Sequence, residues 1–440
     1  MLIKRILLQF FIIHVLLSYA FSQKKVTKLS EVEIHTLIKN TGQALQKYYV
    51  FPEKANVMNE YLHSRHKSGS YNRLNSIKEL TDLVQQDLQK ICPDPHLHIF
   101  YDPKMAVQLE KSSSTKDQEN GINATRAFPK INFDLVFTKL ELLHSNMVYL
   151  RLDDFSNFVS AAKPALNATF KWLRNCDILF IDLRYNSGGS PEMVSQLESY
   201  FFKEKTRMND IVDRIQNKTI EMYADPLMAD SIHVDMPVYI LTSKNTFSAA
   251  EDFSYGMQTS KRAIIIGETT GGGAHPTEVF SVGQGFVTAI PYARSYNNIT
   301  KTDWEGTGVI PDVPVPSEEA LLQARKLAFN YLSNQVSNER QKRMLQWRLN
   351  DLSIGLKTPD NILRQFAGNY SGLDFFVREG EFYCKNAGRG DNIFKLRHVK
   401  DTIFVLDEGV QIQFEKDSRG EYSMLKMLWS DGEISEKSKW

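Results

Sequence analysis

Between residues 147 and 332, short apolar runs alternate with stretches of helical period, and few architectures accommodate that pattern. Ile178-Leu179-Phe180-Ile181, Val238-Tyr239-Ile240-Leu241 and Ala263-Ile264-Ile265-Ile266 are unbroken apolar blocks. Strands read this way when both faces are covered, as in a parallel sheet. Around them, Ala162, Leu166, Phe170 and Leu173 recur at helical spacing, as do Met193, Leu197, Tyr200 and Phe201, and then Ala249, Phe253 and Met257. A strand at 147–152 precedes these elements and a helix at 317–332 follows them. Parallel strands need crossover connections, so the pattern predicts an α/β core.

The flanks follow other periods. Ile34, Leu37, Ile38 and Leu45 mark one amphipathic helix face, and Ile77, Leu80, Val84, Leu88 and Ile91 another. This predicts a small helical domain, read as a three-helix bundle. Pro93 and Pro95 end it, because proline removes a donor and biases its neighbour to extended backbone. The serine-rich stretch 111–123 reads as a loop. Beyond 363, short strand candidates at 382–384, 402–406, 410–414 and 424–429 are separated by Glu379-Gly380, Glu408-Gly409, Arg419-Gly420 and Asp431-Gly432 turns, which predicts an antiparallel β module. The resulting division is 1–22, signal peptide; 23–95, N-terminal helical domain; 96–334, core; 335–364, helical connector; 365–440, C-terminal β module.

The first segment is assigned from Lys4 and Arg5, an apolar stretch at 6–17, and Ala20-Phe21-Ser22 at a cleavage position. It predicts export to a periplasmic or extracellular space with cleavage after Ser22. Lysine and arginine number 53 against 52 acids, so no charge excess argues for nucleic acid. Three cysteines match neither a disulfide framework nor a zinc spacing. No metal or organic cofactor is called for.

Chemistry concentrates in the core. Thr246-Phe247-Ser248-Ala249-Ala250-Glu251 joins an apolar strand to a helix, placing a hydroxyl where unpaired helical N–H groups stabilise negative charge. Asp182-Leu183-Arg184-Tyr185-Asn186-Ser187-Gly188-Gly189 follows another strand; its glycines allow a tight turn whose N–H groups, with that of Ala249, suit an oxyanion hole. Ile266-Gly267-Glu268-Thr269-Thr270-Gly271-Gly272-Gly273 lacks the lysine of a phosphate loop and suits close backbone approach instead. A serine nucleophile needs a base. His96, on a proline-rigidified turn and paired with Asp94, His98 on the following strand, and His275 after the glycines are the candidates, and spacing does not choose between them.

Together these segments, with Asp94-Pro95-His96-Leu97 and Trp304-Glu305-Gly306-Thr307-Gly308-Val309-Ile310-Pro311-Asp312, resemble the tail-specific (C-terminal processing) serine peptidase family. The closer likeness is to its branch containing the tricorn core protease and interphotoreceptor retinoid-binding protein. The segments keep family order over residues 28–330. The resemblance implies a ClpP/crotonase-like α/β fold with Ser248 as nucleophile. One branch uses a lysine base where this chain has Gly273, so a serine–lysine dyad is not implied. The tricorn-like branch implies His96 as base and Glu305 as the carboxylate that orients it, directly or through a bridging group. Glu268 is the rival carboxylate and His98 the rival base, while Gly188, Gly189 and Ala249 form the implied oxyanion hole. The stretch 101–145 is too short and polar for the PDZ domain of lysine-type enzymes, and the likeness does not reach 365–440.

The leading expectation is therefore an exported serine endopeptidase that cleaves peptides or partly unfolded proteins through an acyl-enzyme. A non-catalytic protein binding an apolar ligand or peptide is the alternative on the same scaffold, and a non-peptide hydrolase a third, since the same triad opens esters. A pure binder would not need Ser248, His96 and Glu305 together.

Overall fold

A computed structural model describes residues 29–439 apart from 73, 75, 115–136, 354 and 391; the signal-peptide expectation falls outside these residues. Three helices open the described chain, α1 (Glu31–Tyr48), α2 (Pro52–Lys67) and α3 (Ile77–Ile91). Ser30 caps α1 in a capping box with Glu33, and Ser76 caps α3. Strand β1 (His98–Tyr101) and helix α4 (Pro103–Ser114) follow. The helix runs into the stretch read from its serines as a loop; Pro103 starts it and the Asp102 carboxylate accepts the Lys104 and Met105 amides.

The centre comprises β2 (Lys139–Leu143), β3 (Met147–Arg151), α5 (Val159–Leu173), β4 (Ile178–Asp182), α6 (Pro191–Glu198), β5 (Asn209–Asp213), β6 (Val238–Thr242), α7 (Ala249–Thr259) and β7 (Ala263–Gly267). It continues through β8 (Thr277–Gly283), β9 (Phe286–Pro291), β10 (Ala293–Asn297), β11 (Val313–Pro314), α8 (Ala320–Gln335) and α9 (Glu339–Asp351). Six strands form one sheet in the order β11-β7-β6-β4-β3-β2, parallel from β11 to β3 with β2 antiparallel at the edge. All five residues of β4 and of β6 are buried. One face packs Leu179, Ile181 and Ile240 against α5, α6 and α7; the other packs Phe180, Tyr239 and Leu241 against α8. The α/β core is thus covered on both sides, as unbroken apolar strands require.

The N-terminal helices do not close a core of their own. Their buried Ile38, Leu45, Val84 and Leu88 pack with Leu97, Val282, Phe286 and Ile290 in one cluster. Pairing explains this: β1 lies antiparallel to β9, with His98 opposite Ala289, in a three-stranded sheet β1-β9-β8. That register carries the turn before β1 to the chain leading into β8. The C-terminal residues fold into antiparallel sheets of four and five strands. Their core centres on Phe366, whose ring meets Phe382, Phe404, Phe414 and Tyr422.

Candidate active site

The loop after β6 is tied down before it reaches Ser248. The Thr246 hydroxyl donates to the Leu183 carbonyl at 2.8 Å, and the Phe247 amide donates to the Asn186 carbonyl at 3.1 Å. Ser248 then adopts φ +54° and ψ −122°, a region that costs an L-residue about 1–3 kcal/mol and persists only where its surroundings enforce it. Glu251, one turn into α7, provides that enforcement. Its carboxylate accepts the Ser248 amide at 2.9 Å, the Thr270 hydroxyl at 2.5 Å, and the Gly272 and Gly273 amides at 2.6 and 2.8 Å. Burial still pushes its pKa upward against these four donors. Sequence reasoning assigned Glu251 no role in the site; its one signal was the Ser-x-x-Glu spacing of a capping box.

The second loop meets the first at glycines. Gly188 has φ +113° and Gly189 φ +139°. A Cβ on Gly188 would stand 2.8 Å from the Ser248 Cβ, and one on Gly189 2.0 Å from the Phe155 carbonyl oxygen. Only glycine allows this approach. Of the three expected oxyanion amides, that of Gly188 already donates to the Asn186 side chain at 2.8 Å. Gly189 and Ala249 line the cleft beside Ser248, and the first amide of a helix has no acceptor within it.

His96 lines the same cleft of about 280 Å³. Its ring packs on Phe247, the residue before the serine, at 4.6 Å between centroids. Asp94 holds the turn, but not through the imidazole as the sequence suggested: its Oδ1 accepts the backbone amide of His96 at 2.9 Å. The His96 Nδ1 is buried and has no hydrogen-bond partner among the described residues. Burial pushes this imidazole down to about 4, with Asp94 opposing the shift. The ring is therefore neutral, and able to accept a proton, throughout the neutral range.

Asp94 Oδ2 instead meets the ring of His275, with 2.8 Å to Nδ1, and accepts the Tyr49 hydroxyl at 2.9 Å. Glu305 Oε2 accepts the Ala274 amide at 2.6 Å and lies 3.4 Å from the same His275 Nδ1. Burial pushes Glu305 up to about 7; Asp94 adds to the shift and His275 opposes it. Neighbouring Trp304 is buried and donates from Nε1 to the Gly273 carbonyl, fixing the Glu305 turn against the glycine loop. Asp94, His275 and Glu305 each offer one metal-ligating atom, all within 4.8 Å of one another. The 2.8 Å contact between the first two is also a well-formed hydrogen bond.

The rival residues stand apart. Glu268, at the end of the β7 strand, accepts the Lys244 amide at 3.5 Å and does not line the cleft. His98 is exposed on β1 and is likewise absent from the cleft wall. The cleft thus gathers Ser248, His96, Gly189 and Ala249, with Glu305 behind His275.

Residues 146–315 match the model of peptidase family S41, and residues 22–132 match the model of its N-terminal domain in eukaryotic IRBP. Carboxyl-terminal-processing peptidase 2, chloroplastic, of Arabidopsis thaliana is 31% identical over 169 residues, 38% of this chain and 32% of that protein. The carboxyl-terminal-processing protease of a Picosynechococcus species is 26% identical over 214 residues, 48% of this chain and 49% of that protein. The chain thus spans about a third to a half of the length of these curated relatives. A crystal structure from Parabacteroides merdae superposes with a TM-score of 0.50 at 18% identity, covering 67% of this chain and 96% of the other; at that identity the likeness is one of fold. Among the described residues, no helix is long and apolar enough to cross a membrane.

Proposed function

The chain belongs to peptidase family S41, and from that premise we propose that it is an exported serine endopeptidase acting on peptides or partly unfolded proteins through an acyl-enzyme. Ser248 is the nucleophile, His96 the general base, and Glu305 the carboxylate that orients it. The observation that carries this reading is the strained backbone of Ser248 at the start of α7, in one cleft with a neutral imidazole, the Gly189 loop and the first residue of α7, Ala249.

In the proposed reaction the Ser248 Oγ attacks the scissile carbonyl carbon while His96 takes the hydroxyl proton. The Ala249 and Gly189 amides receive the oxyanion; one such donor is worth roughly 3 kcal/mol in the transition state. The C–N bond then breaks, His96 returns the proton to the leaving amine, and water hydrolyses the ester by the same steps. The unpartnered Nδ1 of His96 is where a bridging group would link it to Glu305. Extended substrate would add to the outer edge of β8, which no described strand pairs and whose first residue, Thr277, lines the cleft. Export rests on the basic and apolar pattern of residues 1–22. No step calls for a metal or organic cofactor.

A fluorophosphonate probe tests the assignment. Wild-type protein should label stoichiometrically and hydrolyse casein, and Ser248→Ala should do neither while keeping its melting temperature. Equal labelling of Ser248→Ala overturns the nucleophile; no labelling of either protein turns the reading to the non-catalytic binder.

A further inference from the structure

We propose that His275 is a positioning residue of this site: its imidazole, gripped at Nδ1 between Asp94 and Glu305, sets the placement and charge of the carboxylate that orients His96. The inference rests on the serine-peptidase reading above and adds a residue to which that reading gives no role.

The geometry is specific. His275 is 4% exposed and Asp94 2%. The Nδ1 lies 2.8 Å from Asp94 Oδ2 and 3.4 Å from Glu305 Oε2. One ring nitrogen therefore hydrogen-bonds Asp94 and stands within ion-pair distance of Glu305, where the two carboxylates converge in a poorly solvated space. Without it the two would face each other, and like charges at such range raise one another's proton affinity. Further contacts fix the ring. Phe51 meets it edge-on at 5.5 Å between centroids, and the preceding residue, Ala274, donates its amide to the same Glu305 oxygen. Asp94 in turn holds the His96 backbone through its other oxygen. A shift of His275 would thus be felt at both the orienting carboxylate and the base.

The groups facing Glu305 come from several elements. His275 stands before β8, Asp94 and Cys92 lie in the turn after α3, and Asp303 precedes Glu305 in its own turn. Only His275 among them opposes the upward shift of Glu305 by its charge. Removing the imidazole therefore has a signed consequence: Glu305 ionises at higher pH, and the acid limb of kcat/KM follows it.

Two variants of the full chain, assayed for peptide turnover from pH 5 to 9, decide the matter. Asparagine reproduces a donor near the Nδ1 position and lacks any equivalent of Nε2. His275→Asn should keep at least a third of wild-type kcat at high pH, with the acid limb moved upward by several tenths of a pH unit or more. His275→Leu, which has no donor, should lose tenfold or more in kcat with KM within twofold, while Ser248 still labels with the probe. A dead His275→Asn that remains folded would make the Nε2 edge essential, and an unmoved acid limb would reduce the residue to packing; either overturns the proposal, as does full kcat in His275→Leu. If leucine prevents folding, the asparagine profile alone decides. Failure of the underlying reading appears separately, as wild-type protein that neither labels nor turns over.

Discussion

At the scale of single residues, Gly273 is packed against the ring of the proposed base itself, and the reason for a glycine there is steric. Its φ is not positive, so a side chain meets no backbone penalty there. A Cβ, however, would stand 2.3 Å from Phe247 Cζ and 2.5 Å from His96 Cε1. Both rings would have to move, and overpacking of this kind costs about 1–3 kcal/mol. Gly273→Ala should lower kcat on a peptide substrate by tenfold or more, because it displaces the base, while lowering the thermal midpoint only modestly. A variant with unchanged kcat would show that the His96 position matters less than its proximity to Phe247 implies. Periodicity could not reveal this glycine's task, since the clash is with a ring brought from far along the chain.

Elements explain which parts of this arrangement were legible beforehand. The β4 and β6 strands announced themselves because burial on both faces demands unbroken apolar residues. The hairpin of β8 and β9 did not: Thr277–Gly283 mixes Thr, Glu and Ser with Val and Phe without a period-two alternation and is buried at one position only. Yet this hairpin pairs with β1 and so brings the His96 turn beside Ser248. The candidate residues were therefore named from motifs and the family likeness, while their convergence depended on an unrecognised strand pair. The Glu251 network is a second such case. Helix α7 begins with a carboxylate that binds its own serine amide and three donors from the 270–273 loop. Glu251→Ala leaves three amides and a hydroxyl without their buried acceptor, and losing one side of such a network costs about 3–5 kcal/mol. Chemical denaturation should register a loss of that size, and probe labelling of Ser248 should fall in the protein that remains folded. A loss below about 1 kcal/mol would mean that water replaces the carboxylate and that the elbow does not depend on it.

Over the whole molecule, buried titratable groups around one cleft give stability an unusual pH dependence, whose sign can be worked out group by group. Asp252, one turn after Ser248, lines the cleft and accepts the Asn209 side chain at 2.6 Å. Burial pushes it up to about 7, as it does Glu305. A carboxyl raised on folding contributes stability that is fully present below its ordinary value near 4 and is lost as pH rises through the folded value. His96 works in the opposite direction. Its folded value of about 4 lies below the ordinary one, so its contribution is complete above about 6.5 and is lost as pH falls towards 4. Acidification from pH 8 should therefore first relieve the two carboxyls and then charge the unfolded chain's imidazole in preference to the buried ring. Asp252→Asn keeps an acceptor for Asn209 and removes the ionisation. The variant should melt higher than wild type at pH 8 and match it near pH 4, since both then carry an uncharged group at this position. Equal melting temperatures at both pH values would mean that Asp252 ionises freely inside the fold, and the cleft would then be wetter than its walls of Trp304, Tyr292 and Ile211 suggest.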